Sequence, residues 1–232
     1  MISHYHKCIF IHIPKAAGTS IESYFLDDLG IDFEDKLPLL LGKTTNMYAS
    51  PKVISHLTAS QMLNQHYISQ ELFDAYFKFV VVRNPLKRLF STYIYLGYSR
   101  VINFETFVLR VFPKLTNESD KAFFLQPQSN FVYNKEGKLL VDFVGKLENL
   151  ESDFHQIQSR LNLPLSLLPH KNKAKSTNSL LRGFKKIILT PHLLFHLNLS
   201  SKKKLNLSQK SLEIVFNYYK ADYDNFGYSK KK

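Results

Sequence analysis

The stretch Cys8-Ile9-Phe10-Ile11-His12-Ile13-Pro14-Lys15-Ala16-Ala17-Gly18-Thr19-Ser20 decides the fold. Its first half is apolar and reads as a buried strand, from about Lys7 to Ile13. Its second half is a turn of small residues carrying one lysine. Thr19 and Ser20 then open a helix that runs to about Phe25, with Ile21, Tyr24 and Phe25 on one face. A strand that passes through a short turn into a helix builds a cradle for an anion. The helix N-terminus presents backbone N–H groups that have no intrahelical partner, and the positive end of the helix dipole. Ala16, Ala17 and Gly18 let a phosphate approach the backbone closely, and Lys15 adds a point charge.

The common phosphate loop reads G-x-x-x-x-G-K-[ST], with its lysine after the last glycine. Here Lys15 precedes Gly18 and the turn is shorter. A metal-dependent NTPase also needs an acidic Mg²⁺ partner, typically an Asp that ends a hydrophobic strand. The strand Phe77-Lys78-Phe79-Val80-Val81-Val82 ends in Arg83 instead, so the loop reads as a holder of phosphate without magnesium. The plain alternative is a tight turn with a solvated lysine. A second motif, Arg83-Asn84-Pro85-Leu86-Lys87-Arg88-Leu89-Phe90-Ser91, weighs against it. Asn84 fits an N-cap and Pro85 a first helical residue. Arg83 then sits at a strand's carboxyl end, where ligands bind in open α/β sheets, and Ser91 lies two turns into the helix. Two anion-binding devices at strand-to-helix junctions suit a ligand with two separated phosphates. The competing roles are a structural ion pair for Arg83 and a surface hydroxyl for Ser91.

Together these residues resemble the sulfotransferases that use 3'-phosphoadenosine 5'-phosphosulfate (PAPS). Residues 11–20 resemble their 5'-phosphosulfate loop and residues 82–91 their 3'-phosphate motif. The wording His-Ile-Pro-Lys and Val-Arg-Asn-Pro is most similar to the carbohydrate sulfotransferase branch, Golgi-type and bacterial. The likeness continues through Val141-Asp142-Phe143-Val144-Gly145-Lys146-Leu147-Glu148-Asn149-Leu150 and Tyr223-Asp224-Asn225-Phe226-Gly227-Tyr228. One departure is Ala16-Ala17, where that branch often has Thr-Gly or Thr-Ala; a hydroxyl is lost but the small size is kept.

The resemblance implies a P-loop-NTPase-like three-layer sandwich with a mainly parallel central sheet flanked by helices. It implies that Lys15 contacts the bridging oxygen of the donor, and that the loop residues Ala16, Ala17, Gly18, Thr19 and Ser20 hold the 5'-phosphate, mainly through backbone N–H groups. Arg83 and Ser91 would hold the 3'-phosphate. Arg88, on the same helix, could help or be structural. A basic loop closes over the nucleotide in such enzymes, and Lys171, Lys173 and Lys175 match it by position, with Lys173 and Lys175 taken as nucleotide binders. Enzymes of similar layout use a histidine or glutamate as general base near the position of His56. An imidazole titrates near neutrality and can accept a hydroxyl proton. His56 could equally be a histidine bonded to a nearby carbonyl, and His12 is its competitor, packing in strand one or bonding to the phosphate loop. His4, His6, His66, His155, His192 and His196 show no metal-ligand spacing, so no metal is expected.

The 232 residues suit a single domain with a substantial core and a basic, loop-rich segment at about 164–208. One cysteine excludes an internal disulfide framework, and Cys8 reads as a small apolar residue. No apolar run reaches the length of a membrane span, and the first strand starts almost at Met1, which points to a cytoplasmic protein with at most peripheral membrane contact. Charge is unevenly placed: residues 1–159 hold 16 Lys+Arg and 16 Asp+Glu, whereas residues 160–232 hold 15 and 3. Such asymmetry suits an anionic partner, or a solvated surface with a frayed tail at Lys230-Lys231-Lys232.

Along the chain, a short strand is expected near Lys52-Val53-Ile54 and a helix from Thr58, where Thr58 and Gln61 fit a capping box. Ser69 caps a helix to Tyr76, a long helix spans Pro85 to about Tyr95, and Asn103 opens another through Val111. Asp120–Gln128 reads as helical, Val141–Leu147 as a strand, Leu150–Leu161 as a helix whose start Glu148 caps, and Gln209–Lys220 as a final helix. The alternation predicts an α/β sandwich. The expected function is metal-free, in-line transfer of a sulfuryl group from PAPS to a hydroxyl of a glycan or glycolipid acceptor, with no specific nucleic acid partner. Two alternatives stand beside it: a nucleotide-dependent phosphotransferase on a P-loop scaffold, and a non-catalytic polyanion-binding protein.

Overall fold

The apolar run at residues 77–82 forms an inner strand of a four-stranded sheet. In the computed structural model, which describes residues 1–42, 53–117, 119–169 and 205–230, the strands are β1 (Ile2–Ser3), β2 (Cys8–Ile11), β3 (Phe77–Val82) and β4 (Phe143–Lys146), in that spatial order. β2, β3 and β4 run parallel, with Phe10 opposite Phe79 and Val80 opposite Val144. β1 is antiparallel to β2, pairing Ile2 with Ile9. Cys8, Phe10, Phe79 and Val81 share a core with Ile21, Phe25, Leu26, Phe154 and Ile157. Ile9, Ile11, Val80 and Val82, the alternate residues, are just as deeply buried. A parallel sheet covered on both faces demands such near-continuous apolar strands. Lys78 interrupts β3, and its ammonium is neutralised by the Asp142 carboxylate at 2.9 Å and bonded to the Tyr76 carbonyl at 2.8 Å.

The chain divides into two compact units, Met1–Arg83 with Gln128–Lys173, and Asn84–Pro127 with Ala174–Lys232. The first holds the sheet, α1 (Gly18–Asp28), α2 (Ala59–Asn64), α3 (Gln70–Ala75) and the helix Leu150–Arg160. Thr58 and Gln61 form the expected capping box on α2, and Ser69 caps α3 by accepting from the Leu72 N–H. β1 escapes sequence reading because two residues carry no periodicity. The expected strand at residues 52–54 is a correction: Ile54–His56 is a single 3₁₀ turn, and Lys52 lies outside the described residues. Two β-branched residues suggested a strand, but the Leu57 N–H closes back on the Ile54 carbonyl and Thr58 must already be extended to cap α2. The helix Leu150–Arg160 has no side-chain cap at its N-cap, Asn149; Glu148 sits in the 3₁₀ turn before it.

The second unit packs α4 (Pro85–Tyr95) in one core with Phe104, Phe107, Val108, Phe112, Leu212, Val215, Tyr219 and Tyr223. Asn84 caps α4 by accepting from the Lys87 N–H at 3.1 Å, with Pro85 at the first position as expected. The helix opened by Asn103 passes through a π-helical stretch, Phe107–Val111, before Phe112–Leu115. Pro113 has no N–H to give, and the Phe112 N–H donates to the Phe107 carbonyl five residues back. Arg88 is structural: it is 1% exposed and donates to the Phe124 and Gln126 carbonyls, at the carboxyl end of the helix Ser119–Leu125. Glu105 accepts from the Ser208 N–H and from the Ser208 and Ser211 hydroxyls, pinning the start of the helix Gln209–Tyr218. A short helix, Lys220–Asn225, follows it. Among the described residues no helix is long and apolar enough to cross a membrane.

Candidate active site

β2 ends at Ile11, so His12, Ile13, Pro14, Lys15, Ala16 and Ala17 form the turn that leads into α1. The turn closes by two left-handed residues, Lys15 at φ 69° and Ala17 at φ 64°. A non-glycine residue there is strained, and such strain gathers at functional loops. The Ala17 carbonyl accepts from the Ser20 N–H at 3.0 Å and the Ile21 N–H at 3.3 Å, which starts the helix. The Ser20 N–H is thus engaged inside the first turn.

Gly18 has a different reason to be glycine from the one its sequence context offers. A Cβ built on it would lie 1.9 Å from His12 Nε2 and 2.0 Å from Cδ2. The imidazole of His12 presses against the Gly18 Cα, and no side chain fits between them. That ring is fixed by Glu22 on α1, whose Oε1 is 2.5 Å from His12 Nδ1. Both are nearly sealed from solvent, at 7% exposed for His12 and 4% for Glu22. A carboxylate on an otherwise apolar helix face, beside Ile21, Phe25 and Leu26, is the sequence sign of this pair, and the reading above missed it.

His56 meets His12 edge to face, with ring centroids 4.3 Å apart. Its Nδ1 is 3.1 Å from the His12 carbonyl oxygen. A carbonyl only accepts, so Nδ1 carries the hydrogen, and in the neutral ring the lone pair resides on Nε2. This is the tautomer that a general base acting through Nε2 requires. The carbonyl-bonded reading of His56 and the general-base reading are therefore compatible, since one nitrogen serves each.

Arg83 follows the last residue of β3, and its guanidinium Nη1 donates to the Lys15 carbonyl at 3.2 Å. The two motifs are joined through this bond. Burial pushes the half-buried Lys15 ammonium below its usual 10.5, and the neighbouring Arg83 cation pushes it the same way. The backbone of Arg83 is held by a residue the sequence did not flag. Gln128 Oε1 accepts from the Arg83 N–H at 2.9 Å, and Gln128 Nε2 donates to the Arg83 carbonyl at 2.8 Å. Their separation of 45 residues leaves no local signal.

The first unit therefore brings together Lys15, Ala16, Ala17, Gly18, Thr19, Ser20, His12, His56 and Arg83. Ser91 lies half-buried on α4, in the second unit. Lys171, Lys173 and Lys175 lie outside the described residues.

A protein of Archaeoglobus fulgidus described only as uncharacterized is 32% identical over 122 residues, which cover 48% of this chain and 88% of that protein. No solved structure matches the chain. Residues 1–229 match the sequence profile described as the Sulfotransferase family, nearly the whole length. A match over that span shows that the chain belongs to the sulfotransferase family.

Proposed function

We propose that this protein transfers a sulfuryl group from PAPS to a hydroxyl of a carbohydrate acceptor, without a metal. The observation that carries the reading is the bond from the Arg83 guanidinium to the Lys15 carbonyl, which joins the two motifs that follow neighbouring parallel strands. The cations of these motifs, with the N-terminus of α1, suit a nucleotide bearing phosphate at both its 3' and 5' positions.

In the reaction the acceptor oxygen attacks sulfur, and the bond between sulfur and the bridging oxygen breaks with its electron pair going to the 5'-phosphate. Lys15 donates a hydrogen bond to that oxygen as its charge grows. A lowered pKa makes this ammonium the stronger acid for the task. His56 Nε2 takes the acceptor proton. Thr19, Ser20 and the backbone at Ala17 and Gly18 cradle the 5'-phosphate, and Arg83 and Ser91 hold the 3'-phosphate. Lys173 and Lys175 belong to the same nucleotide site in this proposal.

The test is transfer of sulfur label from PAPS to a panel of oligosaccharides and glycolipids in the presence of a chelator. The expected result is labelled acceptor with an equal amount of 3',5'-ADP. Lys15→Ala and His56→Ala should each lower turnover by at least about a hundredfold, with 3',5'-ADP affinity retained in His56→Ala. Stabilisation by ATP–Mg²⁺ but not by 3',5'-ADP would instead favour phosphoryl transfer. Stabilisation by heparin or DNA alone would favour a polyanion-binding protein.

A further inference from the structure

Gln128 is fully buried, yet both ends of its amide are committed to one residue. It accepts the Arg83 N–H and donates to the Arg83 carbonyl, as a peptide group of a neighbouring strand would. The β3–β4 ladder ends with Val82 opposite Lys146. The Gln128 side chain adds one further rung beyond it, at the residue whose guanidinium reaches the Lys15 carbonyl. Gln128 is itself held fast. It is the N-cap of the short helix Ser129–Val132, its carbonyl accepts from the Phe131 N–H at 3.0 Å, and Phe131 and Val132 are fully buried. Arg83 is also the last residue of the first unit before the chain leaves it, and Gln128 the first on its return.

We infer that Gln128 is a positioning residue that locks the backbone of Arg83, so that the guanidinium is aimed at the 3'-phosphate before the nucleotide arrives. The inference rests on the proposed role of Arg83. A fixed main chain at Arg83 removes backbone freedom that would otherwise be lost when the nucleotide binds. The Gln128 amide supplies a partner to both the Arg83 N–H and the Arg83 carbonyl, so removing it takes a hydrogen bond from each.

The experiment compares the affinities of the full-length protein for 3',5'-ADP and 5'-AMP, which differ only in the 3'-phosphate. Gln128→Met removes both hydrogen bonds at nearly constant length. It should weaken 3',5'-ADP binding about tenfold and 5'-AMP binding less than about threefold. Gln128→Asn keeps the amide but is one methylene too short to make both bonds, and it should shift the ratio the same way, which guards against misfolding of the methionine variant. Adding Gln128→Met to Arg83→Ala should change the ratio no further. Equal losses for both nucleotides, or a ratio unchanged in Gln128→Asn, would overturn the inference. If Arg83→Ala itself keeps the preference for 3',5'-ADP, the 3'-phosphate reading of Arg83 fails instead.

Discussion

At the scale of single residues, the site turns on contacts that give familiar motif letters unfamiliar jobs. Gly18 sits where a phosphate loop wants room for its ligand, but the room is filled by His12. Gly18 is absent from the positive-φ residues, so alanine would suit its backbone, and a helix start favours alanine over glycine. Gly18→Ala should nevertheless destabilise the protein by about 2 kcal/mol, because the added methyl forces the imidazole off Glu22. The denaturant midpoint measures this. In a His12→Ala background the same change should be neutral or slightly stabilising, since the clash has gone. A cost that persists without the imidazole would assign the glycine to some other contact. The pair also occupies both ring nitrogens of His12: its Nδ1 is held by a buried carboxylate, and its Nε2 lies against Gly18.

At the scale of elements, caps and apolar runs were legible and tertiary partnerships were not. Thr58 with Gln61, Ser69, Asn84 with Pro85, and Asn103 all start helices as their local chemistry dictates. β3 announces itself by burial on both faces. The turn at Ile54–His56 mimicked a strand because β-branched residues signal extension only when a neighbouring strand accepts their hydrogen bonds. In the site, Lys15 and Arg83 follow strands as their motifs indicate, whereas His56 falls on a 3₁₀ turn where a strand was expected. Glu22 and Gln128 could not be read from the sequence, because each acts on a partner that folding brings near. The Asn84 cap has the clearest consequence at this scale, since α4 starts at the residue after it. Asn84→Ala removes the side-chain bond to the Lys87 N–H and should lower stability by about 1 kcal/mol in urea titration. Asn84→Asp should retain most of that stability, as a carboxylate accepts the same bond and suits the helix dipole. Equal losses in both variants would mean that Asn84 matters through another contact.

At the scale of the whole molecule, both units bury acidic protons that the unfolded chain would release in alkali. In the first unit, burial pushes the Cys8 thiol from 9.0 up to about 12. In the second, burial raises Tyr223 from 10.0 to about 12 and lifts Tyr219 further still. All three groups are neutral when protonated, so the folded state holds their protons at pH values where the unfolded state has lost them. The stability these groups contribute is therefore fully present below about pH 9 and is lost as pH rises toward 12. Once pH lies between its two values, the thiol alone should lower stability by about 1.4 kcal/mol per pH unit. Against a typical domain stability of about 5–15 kcal/mol, that slope is steep enough to read from urea midpoints at successive pH values. Cys8→Ala leaves a small cavity and shifts the whole curve downward, but the shift from lost packing is independent of pH. Its curve should run flatter than the wild-type curve above pH 9, converging on it as pH rises. Tyr223→Phe should flatten the curve from about pH 10. Parallel wild-type and Cys8→Ala curves would show that the thiol ionises as readily in the folded protein as outside it, and would contradict a strand β2 sealed on both faces.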